Sequence, residues 1–160
     1  MTTFSRRTAL ILFSAAALSA CGGRRRREIR STRSSEPQLH PNETVKLRRL
    51  INKYADHYDV PRGLVHKVVQ RESMYQPKAR NGPYYGLMQI LPQTARGMGF
   101  RGDAKDLLDA ETNLKYAVKY LRGAWMVSEG SQDKAVMWYA RGYYYEAKRR
   151  GMLKETGLRS

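Results

Sequence analysis

RESMYQPKARNGPYYGLMQILP, residues 71 to 92, holds one carboxylate, Glu72, and the thirty residues after it contain no other. What stands in front of that glutamate decides how it is read. Leu64, Val65, Val68 and Val69 recur at helical spacing behind Pro61, which at a first helical turn forgoes no needed hydrogen bond. Steps of seven, four and three residues from Val65, Val68 and Val69 all arrive at Glu72. The spacing therefore predicts a helix that carries Glu72 on its inward face. A carboxylate against an apolar wall is desolvated, which disfavours the charged form and raises the pKa toward neutrality, as a general acid requires. The plainer reading is a glutamate at a helix end, paired with Arg71, Lys78 or Arg80.

Upstream, Asn42 is placed to cap a helix whose apolar positions Leu47, Leu50, Ile51, Tyr54, Ala55 and Tyr58 recur every three or four residues, ending near Asp59. Downstream, a loop rich in turn formers (Pro77, Asn81, Gly82, Pro83) leads to Gly86-Leu87-Met88-Gln89-Ile90, read as a short helical segment before Leu91-Pro92. A further helix, about Ala110 to Ser128, turns Leu114, Ala117, Val118, Leu121 and Trp125 inward. Another, from about Gln132, presents Ala135, Val136, Trp138 and Tyr139, then meets Gly142-Tyr143-Tyr144-Tyr145. No period-two run of useful length appears, so the fold class is mainly α, with little or no sheet.

The chain of 160 residues suffices for one domain with a real core. Residues 1–20 are excluded from it: Arg6 and Arg7 precede the apolar run Ala9 to Leu18, the pattern of an export signal too short to span a membrane. Leu18-Ser19-Ala20-Cys21 resembles the bacterial lipobox, in which Cys21 is lipidated and becomes the new N-terminus; Ser5-Arg6-Arg7 bears a faint likeness to a twin-arginine signal. Residues 21–40 follow as lipidated cysteine and tether, with six arginines in 22–40 and almost nothing apolar to offset the entropy of ordering. Residues 41–160 are left as the domain. Since Cys21 is the only cysteine, the domain has no thiol for a disulfide.

The formal net charge of +16 becomes +14 once Arg6 and Arg7 leave with the signal. Such a surface seeks polyanions, and an exported protein meets the carboxylates of peptide stems in the cell wall rather than nucleic acid. The expected place is the periplasmic side of the envelope, anchored by lipid to the membrane. Gly22 lacks the acidic residue often linked to inner-membrane retention, which favours the outer membrane.

Four motifs in order make a recognisable set: Glu72-Ser73 at the end of an apolar helix, Gly86-Leu87-Met88-Gln89, Asn113-Leu114 within Ala-x-x-Asn-Leu, and Trp138-Tyr139-Ala140-Arg141-Gly142. Together they resemble the catalytic domain of the soluble-type lytic transglycosylases, relatives of goose-type lysozyme, over roughly residues 45 to 150. The resemblance implies a lysozyme-like fold, with Glu72 as the single catalytic acid and base. It implies substrate-binding roles for the hydroxyl of Ser73, for the backbone and glutamine of Gly86, Leu87, Met88 and Gln89, for Asn113, and for Tyr139 as a holder of Glu72 or of a sugar acetamido group. It implies a peptidoglycan glycan strand as partner, a monomer, and no cofactor. The chain departs from the family's usual A-Y-N-A-G at Ala140 and Arg141, and from S-x-A-G-A at Arg80-Asn81-Gly82-Pro83-Tyr84-Tyr85.

Most glycosidases use two carboxylates. Here the nearest downstream ones, Asp103, Asp106, Asp109 and Glu111, read as charges at helix starts. One carboxylate suits a substrate that carries its own nucleophile, as N-acetylmuramic acid does in its acetamido oxygen and its C6 hydroxyl, and the expected product is a 1,6-anhydro end. The alternatives are a muramidase that hydrolyses the same bond and a non-catalytic peptidoglycan-binding module. Tyr84, Tyr85 and Tyr143 to Tyr145 are candidate stacking platforms, whereas Trp125 and Trp138 fall at core spacing. His40, His57 and His66 lack metal spacing, and no metal site is expected.

Overall fold

The structure, a computed structural model, describes residues 38–159. The expected signal, Cys21 and the tether up to residue 37 lie outside the described residues. Six helices and one small hairpin make up the described fold: α1 (Val45–His57), α2 (Arg62–Ser73), β1 (Arg80–Asn81), β2 (Tyr84–Tyr85), α3 (Pro92–Gly97), a 3-10 turn (Ala104–Leu108), α4 (Ala110–Met126), α5 (Gln132–Arg141) and α6 (Tyr144–Arg149). The described fold is mainly helical with one two-stranded sheet, as the periodicity predicts.

The apolar stripe of α1 buries Leu47, Ile51, Tyr54 and Ala55 as its spacing predicts. Its cap is Thr44 and not Asn42: the Thr44 hydroxyl accepts from the Leu47 N–H at 3.1 Å. Asn42 sits in a left-handed turn, φ 66°, and donates instead to the Met74 carbonyl. The intervening Glu43 displaces the start. Its buried carboxylate accepts from Arg48 Nε at 2.9 Å, Arg48 Nη2 at 2.7 Å and the His40 N–H at 2.9 Å. Burial pushes its pKa up, but the Arg48 and His40 hydrogen bonds outweigh that and the net shift is downward. His40, expected within the tether, is thus held to the domain and stacks on Tyr75 at 5.1 Å between ring centroids.

A left-handed Asp59 ends α1, and Pro61 supplies the cap of α2 rather than its first turn. Leu64, Val65, Val68 and Val69 are buried on the inner face of α2. The helix stops abruptly after Ser73 because Met74 (φ 49°) and Tyr75 (φ 62°) are both left-handed. Two consecutive non-glycine residues in that region are unusual and store strain directly beside Glu72.

Residues 86–90 do not form the expected helical segment. They make a tight loop closed by reciprocal Tyr85 and Ile90 N–H···O bonds of 3.1 Å, with Gln89 in the left-handed region. Leu87 and Met88 go fully into the core, and the helix begins only at Pro92. The hairpin before the loop pairs Arg80 with Tyr85 and Asn81 with Tyr84, Gly82 supplying the positive φ of its two-residue turn.

Helix α4 packs against α1, α3, α5 and the 3-10 turn, while α2 packs against α1 and α5. It contributes Leu114, Ala117, Val118, Leu121 and Ala124 to the core. Trp125 and Trp138 lie partly buried against that core, as their spacing predicts. Tyr143 does not serve as an exposed platform: it is buried, its hydroxyl donates to the Tyr120 carbonyl at 2.9 Å, and its ring fills the space a Cβ on Gly123 would need. Tyr84, Tyr144 and Tyr145 remain exposed.

Candidate active site

Glu72 lies in the last turn of α2, with 23% of its side chain exposed. Burial raises its pKa, and Arg71, with Nε 3.6 Å from Oε1, pulls it partly back down. The C-terminal end of a helix also disfavours negative charge, so both the wall and the backbone favour the protonated acid. Arg71 is the charged group seen acting on Glu72.

The remaining carboxylates have local duties. Asp103 and Asp106 form a capping box on the 3-10 turn, with Asp106 Oδ2 accepting from the Asp103 N–H at 2.9 Å. Asp109 caps α4 by accepting from the Thr112 N–H at 2.8 Å. Glu111 accepts from Lys53 at 2.7 Å and from the Tyr54 hydroxyl at 3.1 Å. Their reading as charges at helix starts agrees with this geometry.

Tyr139 stands buried on α5 and donates its hydroxyl hydrogen to the Met88 carbonyl at 2.8 Å. Its pKa is driven well up by burial first, then by the nearby charge of Glu72. Its hydroxyl hydrogen is committed to the loop, which leaves the oxygen's acceptor capacity for the expected hydrogen bond with protonated Glu72 or a sugar acetamido group. Tyr120, which the sequence reading did not single out, packs its ring edge-on against Tyr139 at 5.5 Å.

Asn113 is fully buried rather than lining a cleft. Its Oδ1 accepts from the Met88 N–H at 3.0 Å, and its Nδ2 donates to the carbonyls of Tyr85 and Leu107, both at 2.8 Å. Every hydrogen atom on its amide is spent on backbone, which makes it the peg on which the 85–88 loop hangs. Gly86 is required there, because it has φ 73° and a Cβ would overlap Asn113 Nδ2 and the Leu107 carbonyl. Ser73 is buried too, its hydroxyl donating back to Val69 O at 3.2 Å. Leu87 and Met88 are core side chains, and Gln89 Nε2 donates to Ala79 O at 3.1 Å and Gly86 O at 2.8 Å. Both of these bonds use the Gln89 amide nitrogen, and the side chains of Ser73, Leu87, Met88 and Asn113 are buried.

A single half-buried acid thus stands by a loop clamped between α4 and α5. The profile of one family, the Transglycosylase SLT domain, matches residues 49–155. The chain belongs to the transglycosylase SLT family. Its described fold is accordingly a lytic transglycosylase catalytic domain of the lysozyme-like superfamily, acting at family level on peptidoglycan. No solved structure matches the chain. Within this SLT domain the loop of Gly86 to Gln89 is the segment that Asn113 and Tyr139 hold in place, and it is held by its backbone, not its side chains.

Proposed function

We propose that this SLT domain cleaves the β-1,4 bond between N-acetylmuramic acid and N-acetylglucosamine and closes the muramic acid into a 1,6-anhydro end. The observation that carries the reading is Glu72: one carboxyl, raised by burial, with no second carboxylate acting on it. Protonated Glu72 gives its hydrogen to the glycosidic oxygen as the C1–O bond breaks, the acetamido oxygen supporting C1. The carboxylate so formed takes the proton of the C6 hydroxyl, whose oxygen bonds to C1. Glu72 is regenerated and no water is consumed. Intramolecular attack is favoured because the C6 hydroxyl is tethered beside C1 at high effective concentration. A muramidase with a second, water-activating carboxylate would draw it from Asp103, Asp106, Asp109 or Glu111, and these are engaged at helix starts.

The proposed setting is the periplasmic face of the envelope: a signal over residues 1–20, a lipid on Cys21, a basic tether to residue 40, and a monomeric domain from 41 to 160, on the outer membrane. Digestion of purified sacculi tests the chemistry. The expected muropeptides are lighter by one water than lysozyme products and resist borohydride. Reducible muramic acid ends make the protein a muramidase, and no soluble product beside an active control enzyme makes it a binding module.

A further inference from the structure

An open groove of about 730 Å³ runs between α2 and α5, linked to Glu72 through Arg71, which lines it and lies 3.6 Å from the Glu72 carboxyl. Lys67, Arg71 and Met74 line it from the α2 side, and Val136, Met137 and Arg141 from α5. Its floor is unusually apolar for an open surface: Met74 is 48% exposed, and Met137 and Ala140 complete the wall. Its rim is cationic. Lys67 is already neutralised by Asp133 at 2.5 Å, but Arg141 is exposed and meets only the Met137 sulfur, at 3.9 Å, among the described residues. Arg71 faces Glu72 at a loose 3.6 Å, so its guanidinium retains donors for an incoming anion.

We infer that this groove seats the peptide stem carried by the muramic acid, with Arg141 and Arg71 holding its carboxylates and the methionine floor taking its small aliphatic side chains. The inference rests on the proposed peptidoglycan cleavage and names which part of the substrate lies where. Charge and shape select the occupant. A sugar subsite calls for aromatic faces and converging amides, whereas this groove is lined by no aromatic ring and by one amide, Gln70. A stem peptide offers alanine methyls and free carboxylates, which match adaptable methionine surface and planar guanidinium forks. Position agrees as well, since the stem leaves the muramic acid next to the bond that Glu72 attacks, and Arg71 joins groove to acid. When a stem carboxylate draws Arg71 toward the groove, the cation that favours ionised Glu72 moves off, and the acid stays protonated. Arg141 stands where the family's usual motif has a small residue, so this grip is a feature of the present chain.

Two readouts on the full-length protein test the proposal. In the first, cleavage of peptide-bearing strands is compared with cleavage of strands stripped of peptide by an amidase. Wild type is expected to favour the peptide-bearing strand by about tenfold in kcat/KM, the yield of one well-formed charge-assisted contact. Arg141→Glu should bring that ratio close to one, and Arg141→Lys should recover part of it. In the second, a free alanine–glutamate stem peptide with two carboxylates is titrated into the protein while the methyl NMR signals of Met74 and Met137 are followed. Both should move, less so in high salt, and not at all in Arg141→Glu. Equal rates on both strands, or methyls that respond to stripped glycan and ignore the peptide, overturn the inference and make the groove a sugar subsite. Shifting methyls without any anhydro product would instead sink the proposed chemistry and leave the groove standing.

Discussion

The Tyr139 hydroxyl donates to the Met88 carbonyl at 2.8 Å, across fifty-one residues of chain, and this one bond fastens α5 to the loop behind the acid. Around it the two partners are buried, so water cannot replace the lost partner if the bond is cut. Tyr139→Phe should therefore cost about 1–3 kcal/mol, the penalty of a buried carbonyl left without a donor. Thermal unfolding should show a Tm several degrees lower. If Tm is unchanged while turnover collapses, the hydroxyl acts on substrate and the clamp assignment fails.

Asn113 and Gly86 form the other half of the clamp. Asn113→Leu leaves the Met88 N–H and the carbonyls of Tyr85 and Leu107 without their side-chain partner. A loss of about 3 kcal/mol or more is expected, since a buried network is cut at several points at once. Gly86→Ala adds overlap to a positive φ and should be comparably harmful. Urea denaturation of both variants measures this; a mild effect in each would show that the loop relaxes and that Asn113 is not its peg.

The alkaline limb of the pH profile depends on Glu72 and Arg71. Because the Glu72 pKa is raised and the protonated form starts the reaction, activity should fall as pH rises through that pKa. Removing Arg71 takes away the influence that lowers it, so Arg71→Ala should move the alkaline limb to higher pH. The linkage has the same sign: a carboxyl raised in the folded state stabilises the fold below its ordinary pKa, and this contribution is lost as pH rises through the folded value. Glu72→Gln abolishes both dependences and almost all turnover. Residual activity with an unchanged pH profile in Glu72→Gln would assign the acid elsewhere.

Replacing Asp103, Asp106, Asp109 and Glu111 by their amides should leave anhydro ends as the main product, since each is occupied at a helix start. The cost appears in stability: losing the Asp109 cap altogether, as in Asp109→Ala, is expected to remove about 1 kcal/mol. A switch to reducible ends in the quadruple variant would reveal a water-activating carboxylate among them.

Cys21→Ala should free the protein from the membrane fraction without lowering the Tm of the domain, because Cys21 is the only cysteine and precedes the residues matched by the SLT family. Retention of the variant on membranes in high salt would refute the lipid.

Periodicity by itself located the four longer helices, α1, α2, α4 and α5. The stripes Leu47 to Ala55, Leu64 to Val69 and Leu114 to Leu121 are local signals, repeated every three or four residues, and burial of one face follows directly from them. The same arithmetic placed Glu72 at the inner end of α2, and the absence of a second carboxylate near it could be counted along the chain. Tertiary structure decided the rest, because a polar side chain has no period and its partner is chosen by what lies opposite. Asn113 and Tyr139 carry hydrogen-bonding groups equally suited to a sugar or to a backbone carbonyl. Only the meeting of α4, α5 and the 86–90 loop turned those groups inward to Met88, Tyr85 and Leu107. Residues 86–90 failed as a helix for a related reason: Leu87 and Met88 are both buried in the core and Gln89 is left-handed, a conformation that local propensity does not favour. The groove of Met74, Met137 and Arg141 belongs to two helices that meet only in the folded chain, so no stretch of sequence contains it.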